Sequence, residues 1–451
     1  MLRLVVLALV LAIASIVAAQ RAPNLVLLLT DDQRHDAMAC AGHPFLQTPH
    51  IDSLAHRGVR FVDCFVTTPI CAASRASILT GTWERTHGYT FGKPPLSAAT
   101  ARDAWPMLLR AAGYRTGFVG KWGVRNEAAV TDAMWDSFHS MAPPYLKAEK
   151  GGGTRHLTDL AAERAIEFLR EGDRAQPFCL MVSFNAPHAE DSNPAQYIPP
   201  PSLRGLYDEV EIPVPALADA EFFAALPEFQ RRSLNRVRWG WRFDTEAKRV
   251  RMVRDYCAMI TGVDRAVGRI LDELHAISAA DETIVVFTSD NGCFLGERGF
   301  AGKWTIHEES IRVPLIVHDP RPTARPAATL GQMVLNVDLA PTLLAFAGIE
   351  IPASYQGSSL VPLLRGETPK WREDFFCEHL FDHPQIPKHE GVRGRRWVYT
   401  RYFEQDPVYE ELYDLGADPQ QRNNLAKEPA HAGELTRMRD RCDELRDRYR
   451  R

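Results

Sequence analysis

The segment Asn24–Thr30 (NLVLLLT) is a continuous apolar run that ends abruptly at Asp31-Asp32. Uninterrupted apolar runs of this length are typical of strands that are buried on both faces of a parallel sheet. Two later segments repeat the pattern, Phe178–Phe184 (FCLMVSF) and Thr283–Ser289 (TIVVFTS), and polar residues lie at the end of each. We therefore expect three buried strands of one sheet, each ending in polar side chains.

Helical patterns lie between these strands. Residues 160–169 keep the three-and-four spacing of an amphipathic helix, and a longer segment repeats it with Tyr256, Ile260, Val263, Val267, Ile270 and Leu274. Alternating strands and helices predict an α/β domain with a doubly wound mixed sheet flanked by helices on both faces. In such sheets ligands bind beyond the carboxyl ends of the strands, so the three polar strand ends are expected to meet in one site.

The composition is that of an ordinary globular protein. The chain has 451 residues, of which 45% are hydrophobic and 24% are charged, and its formal net charge is −4. These values exclude a disordered chain, a collagen-like repeat and a coiled coil, and they predict no basic surface for nucleic acid. An anionic substrate stays possible, because a few cations in a cleft hardly change the total charge.

The N-terminus predicts export. Met1-Leu2-Arg3 is followed by the apolar run Leu4–Ala19, which is the pattern of a signal peptide over residues 1–19. The alternative is a membrane anchor, but the run is shorter than the roughly 20 residues that a bilayer span needs. We therefore predict a secreted or periplasmic protein with no stable membrane insertion after cleavage. Export permits disulfides, yet the pairing of the eight cysteines cannot be deduced from the sequence.

Two domains are predicted after the signal peptide. Residues 20–365 form the α/β domain, and residues 366–451 form a smaller C-terminal α+β domain. In the second, the aromatic segments 397–403 and 412–415 predict a short antiparallel sheet, and a final helix places five residues on one face: Leu435, Met438, Cys442, Leu445 and Tyr449. Residues 192–245 are rich in proline and charge, and we expect an irregular excursion that borders the substrate cleft.

The most specific motif is Cys71-Ala72-Ala73-Ser74-Arg75, followed by Thr80-Gly81. It resembles the cysteine motif of the type I sulfatases, a family of the alkaline-phosphatase-like superfamily, and the chain resembles the secreted carbohydrate sulfatases of bacteria. Further blocks follow in family order between residue 24 and about residue 426: Asp31-Asp32-Gln33, Thr48-Pro49-His50-Ile51-Asp52, Gly120-Lys121-Trp122, Ala186-Pro187-His188, Ser289-Asp290-Asn291-Gly292, Gly302-Lys303-Trp304, Glu308–Pro314 and Glu411–Leu415. This ordered set is far more specific than the cysteine motif alone.

The resemblance implies that Cys71 is oxidised to formylglycine by a formylglycine-generating enzyme during maturation. The hydrated aldehyde carries two hydroxyl groups, of which one attacks the sulfur of a sulfate ester and the other later loses its proton and expels sulfate. One difficult displacement is thereby divided into two easier steps. The implied function is hydrolysis of a sulfate ester of a small molecule, most specifically of a sulfated saccharide.

Four polar residues at two strand ends are candidate metal ligands. The carboxylates of Asp31, Asp32 and Asp290 and the amide oxygen of Asn291 form an all-oxygen set, which suits a hard divalent cation. The resemblance implies one Ca²⁺, with the converted Cys71 as a further ligand. A bound cation lowers the pKa of a coordinated hydroxyl, and Asp290 is the candidate to accept that proton. One aspartate pair alone is more simply a polar turn, but the second pair favours ligation.

The resemblance also assigns three cations and a proton donor. We expect a helix to start near Cys71, which places Arg75 one turn later on the same face. Arg75 is expected to brace the formylglycine, while Lys121 and Lys303 are expected to hold sulfate oxygens. His188 is expected to donate a proton to the leaving oxygen. Outside these blocks a lysine is usually a solvated surface residue, and the alternative for His188 is a structural loop histidine.

The chain departs from the family pattern at two positions. Gly123 stands where the family commonly has a histidine that contacts the formylglycine, so another group must supply that contact or it is missing. Ala73 stands where proline is usual, a variant that is still compatible with oxidation of Cys71.

Two other functions stay open. A phosphodiesterase or phosphonate monoester hydrolase would share the superfamily fold and the nucleophile. A catalytically impaired sulfoglycan-binding protein is the second alternative, motivated by Gly123. Further residues stay open between a structural role and a place at the substrate pocket: Trp83, His87, Tyr89, His307, His383, His389, Arg393 and Arg395.

Overall fold

A computed structural model describes residues 22–149 and 151–450 of the chain. The predicted signal peptide, residues 1–19, lies outside the described residues. Within the described ranges, no helix combines the length and the apolar character that a membrane crossing requires.

The strands follow one another along the chain from the first apolar run to the C-terminal sheet. Their bounds are β1 (Asn24–Thr30), β2 (Val59–Phe61), β3 (Cys64–Phe65), β4 (Arg115–Gly120), β5 (Ser137–Ser140), β6 (Leu146–Ala148), β7 (Thr154–His156), β8 (Phe178–Ser183), β9 (Thr283–Ser289), β10 (Phe294–Leu295), β11 (Ala301–Gly302), β12 (Leu315–His318), β13 (Ala328–Leu330), β14 (Val334–Leu335), β15 (Asp374–His379), β16 (His389–Gly394), β17 (Trp397–Tyr402) and β18 (Tyr409–Asp414).

The α-helices are interspersed with these strands, and short 3₁₀ turns lie between them. The helix bounds are α1 (Pro49–Arg57), α2 (Cys71–Thr80), α3 (Glu84–His87), α4 (Ala98–Ala101), α5 (Trp105–Ala111), α6 (Val130–Met134), α7 (Leu157–Glu171), α8 (Ala220–Ala225), α9 (Glu228–Arg231), α10 (Leu234–Arg242), α11 (Glu246–Ala276), α12 (Glu308–Ile311), α13 (Leu339–Phe346), α14 (Val361–Leu364) and α15 (Ala432–Arg448).

Strand β1 lies near the centre of an eight-stranded sheet with the order β13-β2-β12-β9-β1-β8-β4-β5. It pairs in parallel with β8 on one side and with β9 on the other. Strand β12 runs antiparallel to β9 and to β2, so the sheet is mixed. The predicted doubly wound mixed sheet is therefore confirmed, and the three predicted strands are adjacent, which brings their carboxyl ends together.

Alternate side chains of β1 enter two different cores, as the period of two in a strand requires. Leu25, Leu27 and Leu29 pack in the core that includes α2, α5 and α13. Val26 and Leu28 pack in the core that includes α1, α7 and α11. Because helices cover both faces of the strand, every side chain between its polar ends is apolar, which explains the continuous run in the sequence.

The C-terminal part contains the predicted antiparallel sheet, with β15 to β18 in sequential order. Helix α15 packs across it through four of the predicted residues, Leu435, Met438, Cys442 and Leu445. The fifth, Tyr449, follows the helix and stacks on Trp83, with ring centroids 3.9 Å apart. The boundary at residues 365 and 366 stays a prediction.

The expectation of an irregular excursion over residues 192–245 is wrong for residues 220–242. Helices α8, α9 and α10 lie within it. The side chain of Asp219 caps α8 by accepting a hydrogen bond from the backbone N–H of Phe222 at 2.7 Å. These helices have only four to nine residues, and α10 is held by contacts with the distant Lys303 segment, so the local pattern did not reveal them.

Asp338 fastens the C-terminal sheet to the α/β domain. Its fully buried carboxylate accepts hydrogen bonds from the backbone N–H groups of Leu335, at 2.8 Å, and Ser358, at 2.7 Å. The guanidinium of Arg372, two residues before β15, pairs with both carboxylate oxygens, and its Nη2 lies 2.7 Å from Oδ1. Removing the carboxylate would leave a largely buried cation and two backbone donors without their partner.

We expect Asp338→Ala to lower the free energy of unfolding by about 3–5 kcal/mol, because breaking a buried ion pair leaves an uncompensated charge. Urea denaturation followed by tryptophan fluorescence measures the change. Asp382→Ala is the control, since Asp382 is exposed and pairs with the side chain of Lys388 at the surface, and it should leave the unfolding midpoint where it was. If the two variants behaved alike, Asp338 would not hold the sheet in place.

Candidate active site

The strand ends β1 and β9 bring four oxygen-bearing side chains together. Asp31 and Asp32 follow β1, and Asp290 and Asn291 follow β9. The backbone N–H of Asp32 donates to Oδ1 of Asp290 at 3.3 Å, and Nδ2 of Asn291 donates to Oδ1 of Asp32 at 2.5 Å. His188, beyond the end of β8, places Nε2 3.6 Å from Oδ2 of Asp32. The expected meeting of the three strand ends is confirmed.

Asp32 has a left-handed backbone, with φ of +66°. A non-glycine residue in this conformation is held there by its surroundings. The phenol O–H of Tyr256 donates to the carbonyl oxygen of Asp32 at 2.9 Å, and the thiol of Cys293 lies 3.3 Å from the same oxygen. The sequence analysis placed Tyr256 only on the buried face of its helix, because periodicity gives no information on where a hydroxyl group points.

Cys71 is the first residue of α2, so the expected helix start is confirmed. The whole helix is buried, and Cys71 keeps only 7% of its surface exposed. One turn later, Nε of Arg75 donates to Oδ2 of Asp290 at 2.8 Å, and its Nη1 donates to the carbonyl oxygen of Lys121 at 2.7 Å. Arg75 therefore ties the helix of Cys71 to the end of β9 and to the end of β4.

Two lysines complete the cluster. Lys121 follows β4 and its ammonium group contacts Oδ2 of Asp31, while Nζ of Lys303 lies 2.6 Å from Oδ1 of Asp32. Lys303 is buried and Lys121 is partly exposed. With Arg75, these lysines give three cations against the three carboxylates Asp31, Asp32 and Asp290, so the charges of the cluster balance.

The environment separates the acidities of these groups. Burial alone would raise the pKa of Asp31, but the charges of Lys121 and the other cations hold it well below its usual range. At Asp290, burial raises the pKa to about 6, and the neighbouring Asp31 carboxylate acts in the same direction. Burial lowers the pKa of His188 to about 4, assisted by the charge of Lys303. The cluster thus holds both a strongly acidic and a weakly acidic carboxyl group.

The donor set fits a hard divalent cation. Among the described residues, Oδ1 of Asp31 and Oδ1 of Asn291 are buried without any hydrogen-bond partner. Oxygen atoms of Asp31 and Asp32 and a ring nitrogen of His188 all lie within 4.8 Å of one another. Buried oxygens that lack a donor are costly unless a cation satisfies them, and carboxylate and amide oxygens are the ligands that calcium prefers.

Gly123 lies directly against Arg75. Its φ is +70°, and a Cβ atom built there would approach Cδ of Arg75 to 2.9 Å. Arg75 cannot give way easily, because its guanidinium is bonded to Asp290 and to Lys121. The hydroxyl of Tyr89 lies 3.4 Å from the carbonyl oxygen of Gly123. The backbone conformation and the close approach of Arg75 therefore favour glycine at residue 123, so the change from the family histidine is more than the loss of a side chain.

Several residues that the sequence left open have structural partners. Trp83 donates its indole N–H to the carbonyl of Phe376, and His87 lies 3.1 Å from the hydroxyl of Ser77. Three others form hydrogen bonds with nearby side chains: His307 with Thr305, Arg393 with Glu308 and Arg395 with Glu373. The ring of His389 stacks on that of His379. His383 lies in the β15–β16 connection. Of the set, Tyr89 reaches the neighbourhood of Arg75 through Gly123.

Three residues of the site besides Tyr256 were not predicted from the sequence. Ser183, the last residue of β8, donates to the carbonyl of Lys121 at 2.8 Å and contacts Nη1 of Arg75 at 2.5 Å. Asn235 and Arg238 of α10 lie against the loop that carries Lys303. A serine at the end of a buried strand was a usable signal, whereas α10 was hidden in the segment predicted to be irregular.

The sheet topology and the charged cluster at its carboxyl edge define an alkaline-phosphatase-like hydrolase. Residues 23–349 match the family model described as Sulfatase, and residues 296–448 match the model described as N-sulphoglucosamine sulphohydrolase, C-terminal. The chain therefore belongs to the sulfatase family, and the protein is a sulfatase, as the resemblance implied.

Relatives are similar over nearly the whole chain. An N-acetylglucosamine-6-O-sulfatase from Bacteroides thetaiotaomicron is 28% identical, covering 95% of this chain and 87% of that protein. A choline-sulfatase from Rhizobium meliloti is 30% identical, covering 93% of this chain and 86% of that protein. A solved structure of a protein with its substrate D-glucosamine-2-N,6-O-disulfate has 27% identity and a TM-score of 0.79, covering 95% of this chain and 98% of that one.

Restoring the family histidine at residue 123 should impair this protein. We expect Gly123→His to lower kcat/KM for a sulfate ester by about 10- to 100-fold, because the new side chain displaces Arg75 from its fixed position. Gly123→Ala should also lower kcat/KM. Steady-state kinetics and melting temperature measure the effect.

Gly348→Ala is the matched control, since Gly348 has φ of +69° and nothing within 4 Å of an added Cβ. It should cost about 1–2 kcal/mol of stability through the backbone alone and leave kcat/KM unchanged. A rise in kcat/KM for Gly123→His would show instead that the site lacks only an imidazole.

Proposed function

We propose that this sulfatase removes sulfate from a sulfated saccharide, using a formylglycine made from Cys71 and one Ca²⁺. One observation carries the proposal: the ion pair between Nε of Arg75 and Oδ2 of Asp290, which fastens the helix that begins at Cys71 to the strand end with the candidate metal ligands. This contact joins two distant parts of the chain, which supports a nucleophile and a cation site that act together.

Cys71 has the surroundings that a converted nucleophile needs. It lies at the N-terminus of a buried helix, where backbone N–H groups favour negative charge. Arg75 lies one turn away, and its Nη2 is buried without a hydrogen-bond partner among the described residues. This donor lies 3.8 Å from Oδ2 of Asp31, beyond hydrogen-bond distance, so it is available to an oxygen of the formylglycine hydrate or of the bound ester.

Asp31, Asp32, Asp290 and Asn291 are the residues that would hold Ca²⁺, with the converted Cys71 completing the set. The two unpartnered oxygens, of Asp31 and Asn291, support this choice. When bound, the cation would orient the hydrate and ease loss of its proton. Asp290, whose pKa burial raises to about 6, is the carboxylate suited to accept that proton near neutral pH.

Lys121 and Lys303 are proposed to hold the sulfate oxygens. Both ammonium groups already lie in the cluster, each against one carboxylate of the Asp31-Asp32 pair. Fixed cations at these oxygens offset the negative charge of the sulfate ester and hold its sulfur in line with the nucleophile.

His188 is proposed to protonate the leaving oxygen. Its Nδ1 lies 2.6 Å from the carbonyl oxygen of Ala189, which can only accept, so Nδ1 carries a proton and Nε2 faces the cluster. In the free protein, burial and Lys303 favour the neutral ring. A bound sulfate ester brings negative charge next to Nε2, which favours the imidazolium that can donate.

The choice of a saccharide rests on the relatives, which include enzymes named for N-acetylglucosamine 6-sulfate and a structure with a sulfated glucosamine. Because one relative is a choline-sulfatase, choline sulfate is the substrate against which sulfated saccharides should be compared. Faster turnover of choline sulfate than of every sulfated saccharide tested would overturn the saccharide assignment.

Export and maturation belong to the same proposal. The signal peptide over residues 1–19 would send the chain to the periplasm or the exterior, and relatives include proteins named as extracellular sulfatases. The maturation partner is a formylglycine-generating enzyme, which acts on the Cys71 motif. Mass spectrometry of the peptide that contains residue 71 detects the conversion directly.

We expect Cys71→Ala to lower turnover by more than about 1,000-fold, because the nucleophile is lost. The melting temperature should stay close to that of the wild type, since alanine suits the helix. Cys40→Ala is the control, because Cys40 is only partly buried and lies away from the cluster. Removal of Ca²⁺ with a chelator should have the same effect as Cys71→Ala and be reversed by added Ca²⁺. Undiminished hydrolysis after either treatment would contradict the mechanism.

We expect the effect of His188→Ala to depend on the leaving group. Loss of a general acid costs about 100- to 10,000-fold for a poor leaving group such as a sugar alcohol. It should cost far less for 4-nitrophenyl sulfate, whose phenolate leaves without a proton. Steady-state kinetics on both esters measure the difference, and His275→Ala, an exposed histidine of α11, is the control. Equal losses on both esters would assign His188 to binding.

Two alternative functions predict different results in these experiments. Faster hydrolysis of an aryl phosphate diester than of the matching aryl sulfate would favour the phosphodiesterase or phosphonate monoester hydrolase. Binding of a sulfated oligosaccharide without turnover, with residue 71 fully oxidised, would favour a sulfoglycan-binding protein.

A further inference from the structure

Helix α10 (Leu234–Arg242) is fastened to the loop that carries Lys303. Nδ2 of Asn235 donates to the carbonyl oxygens of Lys303, at 2.6 Å, and Ala301, at 3.2 Å. The backbone N–H of Leu234 donates to the carbonyl of Gln385 in the β15–β16 connection. Arg238 lies three residues after Asn235 and therefore on the same side of the helix. The helix thus holds an arginine over the lysine loop, although the proposed reaction gives it no role.

The guanidinium of Arg238 lies over the indole ring of Trp304, 4.7 Å from its centroid. Trp304 is the residue after Lys303, and its φ of +81° is a rare conformation for a bulky side chain. Its ring is buried against Ile70 and Ala73, next to Cys71. A stacked and strained pair at this place fixes the guanidinium beside the charged cluster, and strain of this kind concentrates at functional sites.

Arg238 has donors to spare. Its Nη2 binds Oδ2 of Asp191 at 2.5 Å, while Nε and Nη1 are buried and have no hydrogen-bond partner among residues 22–149 and 151–450. Asp191 does not neutralise the position, because Arg242 binds its other oxygen at 2.5 Å. One carboxylate between two guanidinium groups leaves a net positive charge, and buried donors without an acceptor are costly.

This positive group lies at the rim of the active site. Asp191 is three residues after His188 on the same loop, and Trp304 adjoins Lys303 in the chain. Burial lowers the pKa of Arg238, although the carboxylates of Asp191 and Asp32 oppose this shift. Only 13% of its side-chain surface is exposed, so a ligand would meet a guanidinium with little competing water.

We propose that Arg238 binds a second anionic group of the substrate, a carboxylate or a further sulfate, while the scissile sulfate occupies the cluster of Arg75, Lys121 and Lys303. The inference rests on the proposed function and narrows its substrate class to saccharides with at least two anionic groups. The scissile group already has three cations, whereas Nε and Nη1 of Arg238 have no acceptor among the described residues.

Two matched pairs of esters test the proposal. N-acetylglucosamine 6-sulfate has one anionic group, and glucosamine 2-N,6-O-disulfate has two. Phenyl sulfate and 3-carboxyphenyl sulfate form the second pair, in which the added anion is a carboxylate. We expect Arg238→Gln to lower kcat/KM for a doubly anionic ester by about 10- to 100-fold and for its partner by less than about threefold. The pair that responds tells whether Arg238 prefers a sulfate or a carboxylate.

Further variants separate binding from folding. Arg238→Lys keeps the charge but loses the planar fork, so its loss should be intermediate. Arg251→Gln, at an exposed arginine of α11, should leave both pairs unchanged. The melting temperature of each variant shows whether the loop of Asp191 stays folded. Equal losses on both members of each pair, or no loss on either, would overturn the proposal.

A binding measurement makes the result independent of turnover. Calorimetric titration of the Cys71→Ala protein with the two glucosamine sulfates should give a higher affinity for the disulfate, and the added Arg238→Gln change should remove that preference. If the oxidised enzyme turned over no sulfate ester, the proposed function would fail, and this titration would still decide the role of Arg238. Equal affinities for the two sugars before the Arg238 change, together with equal kcat/KM for the aryl pair, would overturn it.

Discussion

The buried ion pair between Arg75 and Asp290 is the contact on which the active site depends. Charges that leave water lose several kcal/mol of hydration free energy each, so they persist in a protein interior only when partners with good geometry compensate them. Here three cations and three carboxylates compensate one another in one small volume. The same compensation gives the carboxyl groups different pKa values. The nearby cations lower the pKa of Asp31, whereas the pKa of Asp290 stays raised. Structure and chemistry in this site therefore have one electrostatic origin.

The parts of the fold that the sequence predicted are those in which burial leaves a local pattern. Strands β1, β8 and β9 are covered on both faces, so their apolar runs are unbroken and their ends are marked by polar residues. The adjacency of these strands followed from the rule that ligands bind at the carboxyl edge. The start of α2 at Cys71 was also predicted, and with it the position of Arg75 one turn later.

The parts that the sequence did not predict depend on contacts between distant residues. The buried residues of helix α10 are polar, since Asn235 and Arg242 are buried by binding to segments far away in the chain. Tyr256 fits its helix face, yet the partner of its hydroxyl, the carbonyl of Asp32, lies 224 residues away. At Gly123 the sequence showed only that the family histidine is missing. The backbone conformation and the close approach of Arg75 can be seen only in the folded structure.

The pairing of β1 with β9 also determines how late in synthesis the central sheet can form. Asn24 and Thr283 are hydrogen-bonded neighbours although 259 residues separate them, so the central sheet cannot close until most of the polypeptide has been synthesised. Once it has closed, the thiol of Cys71 is shielded within its helix. Before that, the helix of Cys71 lacks the contact between Arg75 and the end of β9. If Cys71 is converted as proposed, this long-range topology gives the modifying enzyme time to reach a side chain that the finished domain conceals.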